Sequence, residues 1–209
     1  DEIEQFSTAD GLENAAISFM AYNLDKDSSI ATFNEFMALP PASTVKLFTT
    51  AIALEVLGKD YTPSTEIYID GEVDTSGTLI GNLIVRSLGD ASLGSRFFTD
   101  ENTRDDFLKE WIEKIKEKGI KSIQGRILVD GSLFDYHGVP DGWTWSDMGN
   151  YYGSGPSASV VYDNMTILHF STSNQLGGST SIDSMTPPIP NINVYNQVTT
   201  YNSSRDNAY

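Results

Sequence analysis

The sequence predicts an α+β fold with more strands than helices. The run from Ser43 to Leu57 is almost entirely apolar, small or Thr, which is typical of a helix that packs in a core on all sides. Between Phe107 and Ile115 the apolar residues follow the spacing of an amphipathic helix instead. Most of the rest consists of short alternating segments separated by Gly, Asn, Ser and Thr, a pattern that indicates strands and turns.

Two strands are expected before the apolar helix. Residues 15–22 alternate as a strand, residues 24–29 form a polar turn, and residues 30–33 return as a second strand. The prolines at 40–41 mark the start of the helix, and Gly58 marks its end.

A break in composition before residue 65 indicates the start of a second unit. Residues 65–73 and 79–86 alternate around a Thr-Ser-Gly turn, which predicts a hairpin. The amphipathic helix comes next, with Thr103 and Asp106 as an expected capping box and Gly119 as its end. Further strands are expected over residues 122–130, 166–171 and 192–199.

Chemistry is expected at the first turn of the apolar helix. Ser43 and Lys46 are three residues apart, so their side chains share a face. Unpaired N–H groups and the positive end of the helix dipole would favour an oxyanion beside Ser43. A lysine in an apolar helix is poorly solvated and can serve as the neutral base that a serine hydroxyl needs. This pattern predicts acyl transfer through a covalent acyl-serine.

The segment from Ser43 to Lys46 also has a simpler interpretation. Ser43 can be an ordinary N-cap, and Lys46 can extend from the first turn into solvent. However, a lysine in the first turn opposes the preference of the dipole for acidic residues there. Lys46 is also the only charge between Glu35 and Glu55, which favours the catalytic interpretation.

The residues around Ser43 resemble those of a known family. Pro-Ala-Ser-Thr-Val-Lys-Leu-Phe-Thr-Thr-Ala at 41–51 is similar to the active-site helix of the low-molecular-mass class C penicillin-binding proteins. These are D-alanyl-D-alanine carboxypeptidases and endopeptidases of bacterial cell-wall metabolism. Further similar segments follow in the family's order: Gly-Asn-Leu at 81–83, Leu-Gly-Asp-Ala-Ser-Leu at 88–93, Gly-Arg-Ile-Leu-Val-Asp at 125–130, the aromatic segment 143–153, and Ser157-Ala158 with Asn164.

The resemblance implies a domain organisation. Residues 1–63 would be the opening part of a serine beta-lactamase/transpeptidase-like domain, and residues 64–209 a mostly β inserted domain, incomplete at its C-terminus. The family's further motifs, Ser-x-Asn and Lys-Thr-Gly, do not occur in the sequence. Tyr162-Asp163-Asn164 has the outline of a Tyr-x-Asn variant, but its place in the insertion argues against a catalytic role.

Missing motifs imply that the chain is the front part of a longer enzyme and is inactive alone. The Ser43 helix would then expose apolar surface, and self-association through the N-terminal region is expected.

Asp147 and Trp145 are candidate substrate-binding residues. In some family members an acidic residue just after the Trp segment contacts the stem peptide, and the resemblance aligns that role with Asp147 or, after a shift of one residue, with Ser146. Alternatively, Asp147 caps its own turn, and Trp143 and Trp145 are packing residues, which is the favoured interpretation of the tryptophans. The only histidines, His137 and His169, are expected in surface or packing roles, because no Gly-x-Ser-x-Gly elbow accompanies them.

Composition excludes several classes of partner. With 29 acidic and 13 basic residues, the net charge of −16 disfavours nucleic acid and anionic lipid. No metal-ligand spacing occurs, and no cofactor is expected. The chain has no cysteine, and it opens with Asp-Glu-Ile-Glu, so no signal peptide is visible in it. The resemblance implies an exported protein of the periplasm or cell envelope.

The resulting hypothesis is a penicillin-sensitive D-Ala-D-Ala carboxypeptidase or endopeptidase. Its partners would be peptidoglycan stem peptides, with beta-lactam antibiotics as inhibitors. One alternative is a non-catalytic module whose β region binds glycan strands or a protein partner. The other is an esterase or beta-lactamase that uses the same Ser–Lys pair, against which the long insertion argues.

Overall fold

A computed structural model describes residues 2–135 and 137–202. The α+β class is confirmed: the described residues form three α-helices, eight strands and several 3₁₀ turns. The chain divides into two compact units, Asp1–Tyr61 and Thr62–Tyr209.

The first unit begins with a short helix that was not predicted, α1 (Glu2–Ser7). A hairpin of β1 (Phe19–Asn23) and β2 (Ser28–Phe33) follows, paired antiparallel. The first strand begins later than predicted because Ala15 still belongs to a turn, in which its N–H bonds to the carbonyl of Leu12 at 2.9 Å.

The apolar helix is α2 (Val45–Leu57), preceded by a 3₁₀ turn at Ala42–Thr44. Gly58 ends it as predicted, with a φ of 83° and an N–H bond of 3.0 Å to the carbonyl of Leu54. No residue of α2 is buried, and Val56, for example, is 73% exposed. The composition of α2 predicts a helix that is enclosed in a core, but the described residues do not enclose it. The prediction that α2 exposes apolar surface in this chain is confirmed.

The second unit is built on a four-stranded mixed sheet. The predicted hairpin is confirmed as β3 (Thr65–Val73) and β4 (Thr78–Ser87), which pair antiparallel without a register shift from Thr65–Ser87 to Val73–Leu79. Strands β5 (Ser122–Gln124) and β6 (Ile127–Asp130) both pair parallel with β4. The best-buried apolar side chains of the described residues include Leu79, Leu83, Val85, Ile120 and Ala158.

The single strand predicted over residues 122–130 is instead divided into β5 and β6. A Cβ atom at Gly125 would lie only 1.8 Å from the carbonyl oxygen of Gly81, so this close approach requires glycine. Asn82 Oδ1 accepts the N–H of Arg126 at 3.1 Å, and Asn82 Nδ2 donates to Asp70 Oδ2 at 3.1 Å. The side chain of Asn82 thus satisfies the backbone where the strand is interrupted.

Helix α3 (Asp106–Glu117) carries the predicted apolar stripe. Phe107 and Trp111 contact each other edge to face at 5.2 Å, and Gly119 ends the helical segment with a φ of 81°.

The predicted capping box at the start of α3 is wrong. The helix begins at Asp106 itself, and no side chain caps it. Thr103 Oγ1 instead accepts the N–H of Asp100 at 3.1 Å, while Asp100 Oδ1 accepts the N–H of Thr103 at 3.0 Å. The reciprocal pair therefore stabilises the turn that precedes the helix.

The last described strands are β7 (Ile167–Ser171) and β8 (Ser181–Thr186), an antiparallel pair. The strand predicted over residues 192–199 is wrong, because that segment contributes only an isolated bridge between Ser179 and Thr199. Strand β8 was missed since a bulge shifts its register, so that Leu168 faces Met185 but Phe170 faces Ile182. The apolar residues of β8 are thus three apart rather than two.

Candidate active site

Ser43 and Lys46 lie together at the N-terminal end of α2. Ser43 is in the 3₁₀ turn and Lys46 is in the first turn of the α-helix. Lys46 Nζ lies 3.4 Å from Ser43 Oγ, within hydrogen-bond distance. Their i, i+3 spacing thus brings an amine to a hydroxyl, as a base and a nucleophile require.

The backbone immediately before Ser43 is in an uncommon conformation. Ala42 has a φ of 45°, in the left-handed region, which costs a non-glycine residue roughly 1–2 kcal/mol. The N–H of Thr44 bonds to the carbonyl of Pro41 at 3.0 Å, and Thr44 Oγ1 donates to the same oxygen. These bonds hold the turn that presents Ser43. Alanine carries no sequence signal for this conformation, so it was not predicted.

Ser43 is not an N-cap. Neither the 3₁₀ turn nor α2 has a side-chain capping hydrogen bond at its N-terminus. The interpretation of Ser43 as an ordinary helix cap is therefore wrong.

The surroundings of the pair are open in this chain. Ser43 and Lys46 are both exposed, as are Leu47 and Phe48 next to them. The poor solvation predicted for Lys46 is therefore not produced by the described residues.

Asp147 lies in the second unit, at the end of the short 3₁₀ turn Trp145–Asp147; a second 3₁₀ turn, Tyr151–Gly153, follows it. Tyr152 Oη donates to Asp147 Oδ1 across 3.4 Å, and the aspartate is half-buried. A Cβ atom at Gly153 would lie 1.9 Å from the carbonyl of Asp147, so only glycine permits the two turns to approach this closely.

Trp145 is 91% exposed, so the packing interpretation is wrong for this residue within the chain. A contact of Arg96 was not predicted: its guanidinium lies 5.1 Å from the ring of Phe97 and 5.0 Å from that of Tyr151. Arg96 Nε lies 3.9 Å from Asp163 Oδ2. Local sequence carries no signal for a contact between Arg96 and Tyr151, which are distant along the chain.

The Tyr162–Asn164 segment forms a left-handed turn, with φ values of 54°, 58° and 55°. Tyr162 Oη donates to Asp105 Oδ1 at 2.7 Å, and Arg104 lies 4.8 Å from its ring. Burial, together with this hydrogen bond, raises the pKa of Tyr162 to about 12. The described contacts of Tyr162 thus connect this segment to the start of α3, which indicates a structural role.

The histidines occupy the positions expected of them. His137 is on the surface, with Nε2 3.7 Å from Asp141 Oδ1, and His169 is exposed on β7. Among the described residues, no cluster of three or more His, Asp or Glu could hold a metal ion. Within the same residues, no helix has the length and apolar character needed to cross a membrane.

Comparison with known proteins agrees with these features. The whole chain, residues 1–209, matches the D-Ala-D-Ala carboxypeptidase 3 (S13) family. It is 32% identical over 152 residues to the D-alanyl-D-alanine carboxypeptidase DacB of Haemophilus influenzae, covering 73% of this chain and 29% of that protein. It is 26% identical over 163 residues to penicillin-sensitive carboxypeptidase A of Dictyostelium discoideum, and the match covers 72% of this chain and 29% of that protein.

A solved structure supports the fold. The crystal structure of penicillin-binding protein 4 of Haemophilus influenzae superposes with a TM-score of 0.65 at 30% identity, over 78% of this chain and 34% of that one. The chain thus spans only about a third of the length of these relatives.

The serine–lysine helix, the segments that resemble one family in the same order, and the match over the full 209 residues lead to one conclusion: the chain belongs to the D-Ala-D-Ala carboxypeptidase 3 (S13) family.

Proposed function

We propose that the complete protein is a serine-type D-Ala-D-Ala carboxypeptidase or endopeptidase that acts on peptidoglycan stem peptides. The observation that carries this proposal is the 3.4 Å contact between Lys46 Nζ and Ser43 Oγ at the N-terminal end of α2. The named carboxypeptidase relatives support the reaction class.

In the proposed mechanism Ser43 Oγ attacks the carbonyl carbon of the penultimate D-alanine. Lys46 acts as the base that accepts the hydroxyl proton, and it then gives this proton to the nitrogen of the terminal D-alanine, which leaves as a free amine. The N–H of Ser43 donates to the developing oxyanion, aided by the dipole of α2. Water then hydrolyses the acyl-serine.

Backbone conformation at Ala42 supports this role for Ser43. A non-glycine residue with a φ of 45° directly before the nucleophile stores strain where the direction of the hydroxyl matters most. Such strain is commonly found at functional sites because folding elsewhere compensates for it.

Asp147 and Trp145 are proposed to contact the stem peptide. Asp147 offers a half-buried carboxylate that Tyr152 orients, which suits a cationic or hydrogen-bonding group of the peptide. Trp145 offers an exposed ring beside it in sequence. A complete protein with Asp147→Asn should retain acylation by penicillin but lose turnover of stem peptide.

Beta-lactams are proposed as inhibitors that acylate the same serine. A penicillin-binding protein 4 structure of Haemophilus influenzae in complex with a beta-lactam superposes with a TM-score of 0.59 at 24% identity, over 87% of this chain and 35% of that one. The Dictyostelium discoideum relative is a penicillin-sensitive carboxypeptidase.

Labelling with a fluorescent penicillin tests the catalytic assignment. The complete protein should be labelled covalently, and Ser43→Ala should abolish the label. Thr49→Ala, which removes an exposed hydroxyl of α2 outside the turn that presents Ser43, is the matched control and should still be labelled. Equal labelling of the wild type and Ser43→Ala would overturn the assignment.

For the 209-residue chain alone we propose no turnover, because it lacks the Ser-x-Asn and Lys-Thr-Gly motifs of the family. Residues 1–63 are proposed as the opening part of the catalytic domain and residues 64–209 as the inserted domain. Activity in the periplasm or cell envelope is part of the same proposal.

A second candidate function is binding of glycan strands by the second unit. The 91% exposure of Trp145 favours it, because an exposed aromatic face can pack against the apolar face of a sugar. Titration of muropeptides against the chain, followed by tryptophan fluorescence, distinguishes the candidates. Saturable binding by a complete protein that penicillin does not label would favour the binding module.

A further inference from the structure

The left-handed turn Tyr162–Asn164 has no part in the mechanism above, yet its backbone is strained. All three of its residues have a positive φ, whereas each of the other non-glycine residues with a positive φ in the described part of the chain stands alone. Residues with a side chain normally visit this region singly, because Cβ approaches the following carbonyl oxygen. Strain of this kind persists only where the surroundings hold it, and it is concentrated at functional sites.

Hydrogen bonds from the preceding segment hold the turn. Ser154 Oγ donates to the carbonyl oxygens of both Asp163 and Asn164, each at 2.9 Å. In the opposite direction, Asn164 Nδ2 donates to the carbonyl of Gly155 at 2.9 Å. Two side chains thus tie the strained turn to residues 154–155.

Ser154 directly follows a backbone that packs against Asp147. Gly153, the residue before it, is buried, and a Cβ atom there would lie 1.9 Å from the carbonyl oxygen of Asp147. The N–H of Asn150 bonds to that same carbonyl at 3.0 Å, and the N–H of Gly153 bonds to the carbonyl of Asn150 at 2.9 Å. A displacement of Ser154 would therefore disturb the backbone that carries Asp147.

A second set of contacts connects the turn to the side chain of Asp147. Asp163 Oδ2 accepts the N–H of Arg96 at 3.1 Å and lies 3.9 Å from its Nε. The guanidinium of Arg96 lies 5.0 Å from the ring of Tyr151, which contacts the ring of Tyr152 edge to face at 5.3 Å. Because Tyr152 Oη donates to Asp147 Oδ1, these contacts lead to the carboxylate itself.

We propose that the Tyr162–Asn164 turn positions the carboxylate of Asp147, with Ser154 and Asn164 as positioning residues. The inference rests on the proposed function, in which Asp147 contacts the stem peptide, and adds how that carboxylate is held. A binding segment that is ordered before its ligand arrives loses less conformational freedom on binding. The contribution of the turn should therefore appear in the affinity for stem peptide and not in the reactivity of Ser43, which lies in the first unit.

Kinetics of the complete protein with a stem peptide that ends in D-Ala-D-Ala test the functional consequence. Ser154→Ala should raise KM about threefold to tenfold, the effect of one net hydrogen bond, and leave kcat unchanged. Asn164→Asp still suits a left-handed turn but cannot donate to the carbonyl of Gly155, so it should raise KM as well. The rate of acylation by labelled penicillin should stay at the wild-type value in both variants.

Two matched variants separate positioning from a general loss of structure. Ser154→Thr keeps the hydroxyl and should restore the wild-type KM. Ser159→Ala removes a hydroxyl of the same segment that makes no hydrogen bond within the described residues, and it should change nothing. An unchanged KM in both Ser154→Ala and Asn164→Asp would overturn the proposal. An equal fall of peptide turnover and penicillin acylation would also overturn it, because only loss of folded protein lowers both alike.

Amide hydrogen exchange of the complete protein tests the positioning without any substrate. Exchange over residues 147–153 should be faster in Ser154→Ala and Asn164→Asp than in the wild type, while exchange over the β3–β4 hairpin should not change. If the wild type neither reacts with penicillin nor cleaves the peptide, the proposed function fails, and faster exchange would still support the positioning of Asp147. Unchanged exchange over residues 147–153 in both variants would overturn the positioning, whatever the activity of the wild type.

Discussion

At the scale of single residues, helix geometry produces the contact between Ser43 and Lys46, whereas the turn before Ser43 depends on other hydrogen bonds. Side chains three apart on a helix are neighbours by geometry, so the 3.4 Å distance follows from the helix alone. The left-handed φ of Ala42 depends on the turn that Thr44 and Pro41 close, and this turn has no residue preference that the sequence reveals.

Replacement of Lys46 by Arg separates charge from proton transfer. Arginine keeps the positive charge and similar reach but cannot give up a proton at ordinary pH. If Lys46 is the base, Lys46→Arg in the complete protein should slow acylation by labelled penicillin about 10²–10⁴-fold, the usual contribution of a general base.

Lys59→Arg, which lies beyond the end of α2, is the control and should acylate at the wild-type rate. An unchanged rate for Lys46→Arg would show that the lysine acts only through its charge.

Tyr162 makes stability depend on pH in alkaline solution. Its pKa is raised from 10.0 to about 12, first by burial and then by the hydrogen bond to Asp105. The folded state holds the phenolic proton of Tyr162 more tightly than the unfolded state does. The stabilisation that Tyr162 gives the folded state is therefore complete below pH 10 and is lost as the pH rises from 10 towards 12.

The urea midpoint of the chain should therefore fall over this pH range. In Tyr162→Phe the midpoint should be lower at neutral pH, and its fall over the same range should be smaller. Identical pH profiles for the two chains would contradict the assignment.

At the scale of elements, prediction succeeded where one period dominates. The β3–β4 hairpin alternates regularly and pairs without a shift, and α2 ends at the glycine that the sequence marks. Prediction failed where contacts between residues distant in sequence interrupt the alternation of apolar and polar residues. The close approach of Gly81 separates β5 from β6, and the bulge opposite Phe170 removes the regular alternation from β8. Neither contact can be inferred from local pattern.

The interruption between β5 and β6 makes Gly125 a sensitive position. Gly125→Ala would place a Cβ atom 1.8 Å from the backbone oxygen of Gly81, which cannot move without disturbing β4. We expect the free energy of unfolding to fall by about 1–3 kcal/mol, as for other overpacked sites.

Gly131→Ala provides the control, since nothing lies within 4 Å of a Cβ atom at that glycine. Urea unfolding followed by tryptophan fluorescence should separate the two variants, and equal stability would show that β5 and β6 can shift without cost.

At the scale of the whole molecule, the two units differ in how they bury apolar surface. In the second unit, β4 carries buried residues such as Leu79, Leu83 and Val85. In the first unit, α2 is exposed along its whole length, although its composition is that of a core helix. The sequence therefore predicts that α2 is a buried helix, but it does not identify the residues that would cover it.

An exposed apolar helix on a highly charged chain predicts self-association that depends on salt. Leu47, Phe48 and Val56 offer apolar surface on α2, but the net charge of −16 makes copies of the chain repel one another. Raising the salt concentration shortens the Debye length from about 10 Å at 0.1 M to about 3 Å at 1 M and removes most of this repulsion.

Sedimentation velocity of the 209-residue chain should show association that increases with both protein and salt concentration. Phe48→Glu should reduce it, because the change places a charge within the apolar surface of α2. Phe36→Glu is the matched control, since Phe36 is 94% exposed and lies outside α2. If Phe48→Glu and Phe36→Glu reduce association equally, net charge alone controls association and the apolar surface of α2 does not.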